Sequence, residues 1–225
     1  FASPPTTTIA LSPASPNGSD GWYRTAAGVS ITAVDDGTVV QTRCALDPAT
    51  APATFADLPD AACALTSVET DGQHAIYAAS IDADGYVESP LVTATLKVDR
   101  TAPSLSPTLS SNPVVVGQTG VTASPNATDV TSGVASSSCG AVDTTTPGTK
   151  TVQCTATDNA GNTATATLSY VVEYRILGLF EPAPLSKWKL GQSVPIKIAL
   201  GNAAGNRIPD AEAAALAAAL LAGAI

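Results

Sequence analysis

The chain of 225 residues carries 19 Asp and Glu against 10 Lys and Arg, which gives a formal net charge of −9 at pH 7. This balance argues against nucleic acid, whose phosphates need a basic patch, and against docking on anionic lipid. Only 4% of the residues are aromatic, while 17 Gly and 17 Pro punctuate an apolar content rich in Ala and Val. The composition predicts an all-β chain of short strands and turns rather than a helical enzyme.

Targeting and membrane signals are not visible in the sequence. No apolar run reaches the roughly 18 residues that a spanning helix needs, so membrane insertion is not expected. The chain opens with Phe1, contains no Met, and shows no signal peptide. We therefore expect a mature or excised piece of a larger protein, whose export or anchoring signals lie outside it.

An internal repeat organises the first three quarters of the chain. Segments 63–85 and 139–161 match without a gap. The matched positions are Cys63 with Cys139, Gly72 with Gly148, Ile76 with Val152, Asp82 with Asp158, and Gly85 with Gly161. Because this period is longer than that of solenoid repeats, it indicates tandem domains.

Each copy of the repeat predicts a β-hairpin. The predicted first strands, Gln73–Ile81 and Lys150–Thr157, run into turns rich in Asp, Asn and Gly, which tolerate or supply left-handed backbone. The predicted second strands are Tyr86–Val98 and Thr163–Val172. The first domain should join the second at Val98–Pro103, where Pro103 stiffens the connection.

The pattern changes from Glu173 onwards. An apolar strand is expected over Tyr174–Phe180, and alternation around Pro195 favours an edge strand. Asp210 should then cap a short Ala-rich helix over Ala211–Leu221. We interpret this region as the front part of a third domain that is incomplete here, with apolar surfaces left partly uncovered.

Three segments resemble known families of extracellular modules. Thr151–Ala164 resembles the hyalin-repeat (HYR-like) and related bacterial Ig-like modules. Gly21–Tyr23, together with Val98–Pro103, looks like the Ig-like repeats of actinobacterial secreted proteins. Gly191–Ile198 is similar to the Pro-x-Lys-Phe (PxKF) domain, with Ile198 in place of the Phe.

The resemblance implies tandem immunoglobulin-like β-sandwich domains in a bacterial protein that is secreted or attached to the cell surface. The expected domains are 1–101 (Ig-like), 102–173 (HYR-like) and 174–225 (the N-terminal part of a PxKF-like domain). Such modules act as spacers, stalks and accessory domains in many unrelated proteins, so the fold alone does not define the function.

Four cysteines fit an oxidising compartment. Three connectivities are open to four cysteines, and pairing within modules gives Cys44–Cys63 and Cys139–Cys154. Each bridge should contribute about 3 kcal/mol in the chain-entropy model. A zinc site is disfavoured because Cys-x-x-Cys pairs are absent.

Catalytic and cation-binding patterns are weak. The single histidine, His74, is expected on a surface strand, and no Gly-x-Ser-x-Gly elbow accompanies it. Asp35-Asp36 and the Asp82/Asp84 pair lie in predicted turns, where Asp is common because its side chain hydrogen-bonds the turn backbone. Asp82–Gly85 departs from the EF-hand loop, yet Ca²⁺ could be bound by carboxylates near Asp99 and the turns. No other cofactor is expected.

The exposed-aromatic hypothesis concerns Trp22, Tyr23 and Trp188, which would stack on sugar rings in a carbohydrate-binding module. Core packing is the competing interpretation and is favoured in a chain so poor in aromatics. The function predicted from the sequence is a non-catalytic structural or spacer array, whose partners are other domains of the parent chain. The alternative is an accessory module that binds cell-wall or environmental polysaccharide.

Overall fold

The computed structural model describes residues 3–179 and 198–221, which consist mainly of β-strands, with one α-helix, α1 (Asp210–Leu221). The chain divides into two compact units. Unit 1 comprises residues 1–105, 127–137 and 156–164, and unit 2 comprises residues 106–126, 138–155 and 165–225. The expected all-β class is confirmed, with a short helix near the C-terminus. The domain boundaries expected after residues 101 and 173 stay predictions.

Two sheets form the body of unit 1. Its strands are β1 (Thr6–Ser12), β2 (Trp22–Tyr23), β3 (Ala27–Val34), β4 (Val39–Leu46), β5 (Ser67–Val68), β6 (Gly72–Asp82) and β7 (Val92–Val98). One sheet has the order β1-β3-β5 and the other β2-β7-β6-β4. Neighbouring strands are antiparallel except β2 and β7, which are parallel.

The core of unit 1 draws on both sheets, as in a β-sandwich. It contains Tyr23, Ala27, Val29, Val68, Ile76, Leu96 and Val98. In β6 every second residue from His74 to Asp82 is buried, as the two-residue period of a strand requires. Ala79 breaks this alternation because the opposite face of β6 is also covered.

The cover on that face comes from the connection between β4 and β5. Its single 3₁₀ turn, Phe55–Asp57, places Phe55 and Leu58 against Ala79. The Arg43 guanidinium lies 4.4 Å from the centre of the Phe55 ring. The disulfide Cys44–Cys63 ties this connection to β4, and the Cys63 amide donates to the Thr42 carbonyl (2.9 Å) on the open edge of that strand. An edge covered in this way is less able to pair with another chain.

Unit 2 has a second, smaller core. Its strands are β8 (Thr108–Leu109), β9 (Val114–Val115), β10 (Ala123–Ser124), β14 (Arg175–Leu179) and β15 (Ile198–Gly201), with parts of β11 (Val134–Cys139), β12 (Gly148–Asp158) and β13 (Thr163–Glu173). One sheet has the order β11-β12-β13-β9, in which β13 and β9 are parallel. β8 pairs with β10, and β14 pairs with β15. Val114, Val152, Tyr170 and Val172 are the buried core residues.

The start of one predicted strand differs from the structure. The strand expected over Tyr86–Val98 begins only at Val92, and Val87 makes an isolated bridge to Ile81. Ser89-Pro90 separates the bridge from β7, and proline has no N–H to donate to a ladder. Trp188 and most of the Gly191–Ile198 segment lie outside the described residues. Within the part of the chain that the structure describes, no helix has the length and hydropathy of a membrane span.

Candidate metal centre

Three carboxylates converge in unit 1. Asp99, Asp129 and Asp158 each offer an oxygen, and these oxygens lie within 4.8 Å of one another. Asp99 directly follows β7 and Asp158 ends β12, and both are almost completely buried. Asp129 lies between β10 and β11 and is half-buried.

The turn after β12 positions Asp158. Its Oδ1 accepts from the Asn162 backbone amide (2.8 Å) and its Oδ2 from the Asn162 side-chain amide (2.9 Å). Gly161 supplies the positive φ of 92° that closes the turn. The turn is therefore built around the carboxylate, which accounts for the burial of Asp158.

The turn after β6 has the same construction. The Oδ1 atom of Asp82 accepts from the backbone amides of Tyr86 (2.8 Å) and Asp84 (3.0 Å), and Gly85 has φ 89°. Asp82 is also buried, but it takes no part in the group of three carboxylates.

Backbone amides hold the other two carboxylates. Asp99 accepts from Thr101 through Oδ1 (3.2 Å) and from Ser132 through Oδ2 (3.1 Å). The Oδ1 atom of Asp129 accepts from the backbone amides of Thr131, Ser132 and Gly133 (2.8–3.2 Å). This Asp-led turn was not singled out from the sequence, although Asp129 is followed within four residues by Ser132 and Gly133, which are turn-forming residues.

Negative charge dominates the group. Within the described residues, every hydrogen bond to these carboxylates comes from a backbone amide or from the Asn162 side chain. Buried carboxylates are normally paired with a cation or bound to a metal. Hard oxygen ligands suit Ca²⁺, which takes six to eight of them. The structure thus brings Asp99 and a turn aspartate together, as the sequence-based Ca²⁺ hypothesis requires, and binding itself stays a prediction.

The candidate sugar-stacking residues lie in different surroundings. Trp22 is 7% exposed, with the Lys97 ammonium 5.0 Å from its ring centre. Tyr23 is 2% exposed, belongs to the core, and donates its hydroxyl to the Pro13 carbonyl (3.1 Å). Neither ring is presented to solvent as a platform. The third candidate, Trp188, lies outside the described residues.

His74 lies on β6 but is buried, so its expected exposure was wrong. Its Nδ1 contacts Asp47 Oδ2 (2.6 Å) and its Nε2 contacts the Thr70 carbonyl (2.8 Å). Burial acts to raise the pKa of Asp47, but hydrogen bonds from His74 and from the Ala75 amide outweigh it and hold that pKa below its ordinary value. Both ring nitrogens therefore serve to join β6 to its neighbouring segments.

The two disulfides are Cys44–Cys63 and Cys139–Cys154, the connectivity expected from pairing within modules. No family model matches the chain, and a search of curated proteins found no similar one.

Proposed function

We propose that this chain is an array of Ig-like β-sandwich modules that acts as a non-catalytic, rigid extracellular spacer. It would present or support a neighbouring domain of a larger secreted or surface-attached protein. Three features support the proposal: the two-sheet arrangement of unit 1, the matching strands and turns at β6 and β12, and the two disulfides.

The observation that carries the proposal is the set of hydrogen bonds that holds the segment after β7 on two sides. Unit 1 contains, besides residues 1–105, the loops 127–137 and 156–164, which belong to the expected second domain. The Asn162 side chain donates to the carbonyl oxygens of Asp99 (2.9 Å) and Thr101 (3.3 Å). A linker whose backbone groups are bound from both sides has little freedom to bend.

The opposite side of the same segment is bound to the turn between β5 and β6. The Arg100 amide and the Thr101 hydroxyl both donate to the carboxylate of Asp71 (2.9 and 2.5 Å). The Arg100 guanidinium donates to the Glu69 carbonyl (2.8 Å). We call residues 98–103, with these contacts, the joint.

Two further contacts join the turn after β12 to the residues on either side of β2. The Ser19 amide donates to the Ala160 carbonyl (2.9 Å), and the Arg24 guanidinium donates to the Gly161 carbonyl (3.0 Å). A Cβ on Gly18 would lie 2.5 Å from the Ala160 oxygen, so the close approach requires glycine there. These contacts support a stiff joint.

Polysaccharide binding is the alternative function, and the burial of Trp22 and Tyr23 gives it no comparable support. The two functions are separated by retention of the chain on a panel of insoluble polysaccharides, with and without Ca²⁺. We expect no retention for the wild type. If the wild type is retained and a folded Trp188→Ala variant is not, the chain would be a carbohydrate-binding module and not a spacer.

A further inference from the structure

His74 is the single histidine of the chain, and both nitrogens of its buried ring face hydrogen-bond acceptors. Its Nδ1 lies 2.6 Å from Asp47 Oδ2, and its Nε2 lies 2.8 Å from the Thr70 carbonyl oxygen. A carbonyl oxygen and an ionised carboxylate can only accept, so each contact requires a hydrogen on the ring nitrogen. A neutral imidazole has one N–H and an imidazolium has two, so the imidazolium is the form that satisfies both contacts.

Asp47 is held as a carboxylate by its surroundings. Its Oδ1 accepts from the Ala75 amide (2.8 Å) and its Oδ2 from the imidazole. Burial opposes ionisation, but these hydrogen bonds outweigh it and hold the pKa of Asp47 below its ordinary value. At neutral pH Asp47 is therefore an acceptor without a proton to give, and the positive charge of a protonated ring has the partner that a buried charge needs.

Two carboxylates flank Thr70 in the turn between β5 and β6, and both have other partners. The Glu69 carboxylate accepts from the Ser67 hydroxyl (3.1 Å). The Asp71 carboxylate accepts from the joint, as described above. Neither of them is hydrogen-bonded to the imidazole.

The cation on the neighbouring strand β7 also has partners of its own. Lys97 lines the same cleft as the imidazole and Asp47. Its ammonium donates to the Asp20 carbonyl (2.6 Å) and lies 5.0 Å from the centre of the Trp22 ring. Among the described residues, Asp47 is therefore the charged group that is hydrogen-bonded to the imidazole.

The carbonyl that Nε2 binds lies in the turn that holds the joint. The residue before Thr70, Glu69, binds the Arg100 guanidinium through its carbonyl (2.8 Å). The residue after it, Asp71, accepts from the Arg100 amide (2.9 Å) and from the Thr101 hydroxyl (2.5 Å). The imidazole thus fixes the turn between its two contacts with the joint.

We propose that His74 is an imidazolium in the folded chain and makes the joint sensitive to pH: the ring holds the turn between β5 and β6 at neutral pH and releases it in alkaline solution. This regulation rests on the joint of the proposed spacer and adds to it. Loss of one proton leaves the ring with a single N–H, so either Asp47 or Thr70 then faces a nitrogen lone pair. Two acceptors cannot bind each other, and the contact is lost.

The same chemistry sets the direction of the pH dependence. Histidine in an unfolded chain loses its proton with a pKa of about 6.5. Above that pH the folded chain holds one proton more than the unfolded chain, so stability falls as the pH rises. The unfolding equilibrium constant should increase by up to about tenfold per pH unit, until the folded chain also loses the proton. Below about pH 6.5 both states carry the proton, and the contribution is complete.

Asp47→Asn changes the protonation of the ring and keeps its contacts. The amide oxygen can accept from the Ala75 amide as Oδ1 does, and the amide NH₂ can donate to Nδ1. A neutral ring with its hydrogen on Nε2 then satisfies every contact. Asp84→Asn is the matched control, because it makes the same chemical change at an exposed residue of the turn after β6.

The experiment is NMR of the full chain, in which the single histidine gives one pair of ring ¹⁵N signals. The test pH is about 7.5, one unit above the pKa of histidine in an unfolded chain. We expect two protonated ring nitrogens in the wild type and in Asp84→Asn, and one, Nε2, in Asp47→Asn. Between pH 7.5 and pH 9 the wild-type ring should lose a proton, and the ¹³C signals of the Thr70 carbonyl and the Asp71 carboxylate should shift with the same midpoint. Neither carbon signal should shift in this range in Asp47→Asn.

Three results would overturn the inference: one protonated ring nitrogen in the wild type at pH 7.5, a ring still protonated at pH 9, or an Asp71 signal that does not follow the ring. None of these bears on the retention experiment, so the spacer role can stand without the pH response. Retention of the wild type on a polysaccharide would reject the spacer instead, whatever the state of the ring.

Discussion

The Asn162 side-chain amide lies 2.9 Å from the Asp99 carbonyl oxygen, and its own turn aspartate, Asp158, lies within 4.8 Å of the Asp99 carboxylate. One asparagine therefore binds both the joint and the acidic group beside it. Asp99 is fully buried and its amide donates to the Tyr23 carbonyl, so the residue that directly follows β7 belongs both to the joint and to the candidate metal centre.

Asp82→Ala should destabilise unit 1 by about 1–3 kcal/mol, because two backbone amides of the turn lose their buried acceptor. Asp82→Asn should cost less, since an amide oxygen still accepts. The exposed neighbour Asp84 provides the control, and Asp84→Ala should stay within about 0.5 kcal/mol of wild type. Urea unfolding followed by tryptophan fluorescence measures all three, and equal losses in Asp82→Ala and Asp84→Ala would show that the turn does not depend on this carboxylate.

Calcium should raise the thermal midpoint of the wild type, and chelation should lower it, if the Asp99, Asp129 and Asp158 carboxylates bind the ion. The shift should disappear in Asp129→Asn, which changes the least buried of the three. Asp84→Asn is a matched control outside the group and should keep the shift. Differential scanning calorimetry with Ca²⁺ or a chelator decides the matter, and a midpoint unaffected by Ca²⁺ in the wild type would contradict the hypothesis.

Replacing Cys139 and Cys154 together by Ser should cost roughly 2–4 kcal/mol of unfolding free energy, since a bridge mainly restricts the unfolded chain. The same double change at Cys44 and Cys63 should have a second effect, because that bridge holds the cover over the edge of β4. We expect this variant alone to associate at high concentration. Denaturant titration and light scattering measure the two effects, and a monomeric Cys44/Cys63 variant would show that the edge is not exposed.

The pKa of Asp47 is held below its ordinary value in the folded chain. A lowered folded-state pKa contributes stability that is present above the unfolded pKa of about 3.9 and is lost as the pH falls through the folded value. Stability should therefore fall with acidification below about pH 4, and less steeply in Asp47→Asn. Chemical denaturation between pH 5 and pH 2 measures the free energy of unfolding of both proteins. If it falls equally with pH in the wild type and in Asp47→Asn, Asp47 does not contribute to the acid sensitivity.

Local patterns in the sequence predicted the elements that depend on neighbouring residues. β6 and β12 begin at Gly72 and Gly148 and end at Asp82 and Asp158, within one residue or two of the predicted strands. The helix Asp210–Leu221 likewise follows from its alanines, although it includes Asp210, which was expected to cap it from outside. In each case the residues that predict the strand or helix belong to that same element.

Features that depend on distant residues were missed. Phe55 and Leu58 are buried only because the far face of β6 is available to them, and no local pattern reports that. Asp129 joins Asp99 and Asp158 from separate segments of the chain. His74 is buried because Asp47 and the Thr70 carbonyl satisfy its two nitrogens, and neither partner is adjacent to it in sequence.

The central claim, a stiff joint, is tested most directly by the spread of distances across it. Spin labels carried by unnatural amino acids at the exposed positions Thr93 and Thr163, which both lie in unit 1, leave the disulfides intact. Double electron–electron resonance should give one narrow distance distribution in the wild type. Asn162→Ala should broaden it markedly, while Asn206→Ala, an asparagine change in a turn of unit 2, should leave it narrow. A broad distribution in the wild type would contradict the account.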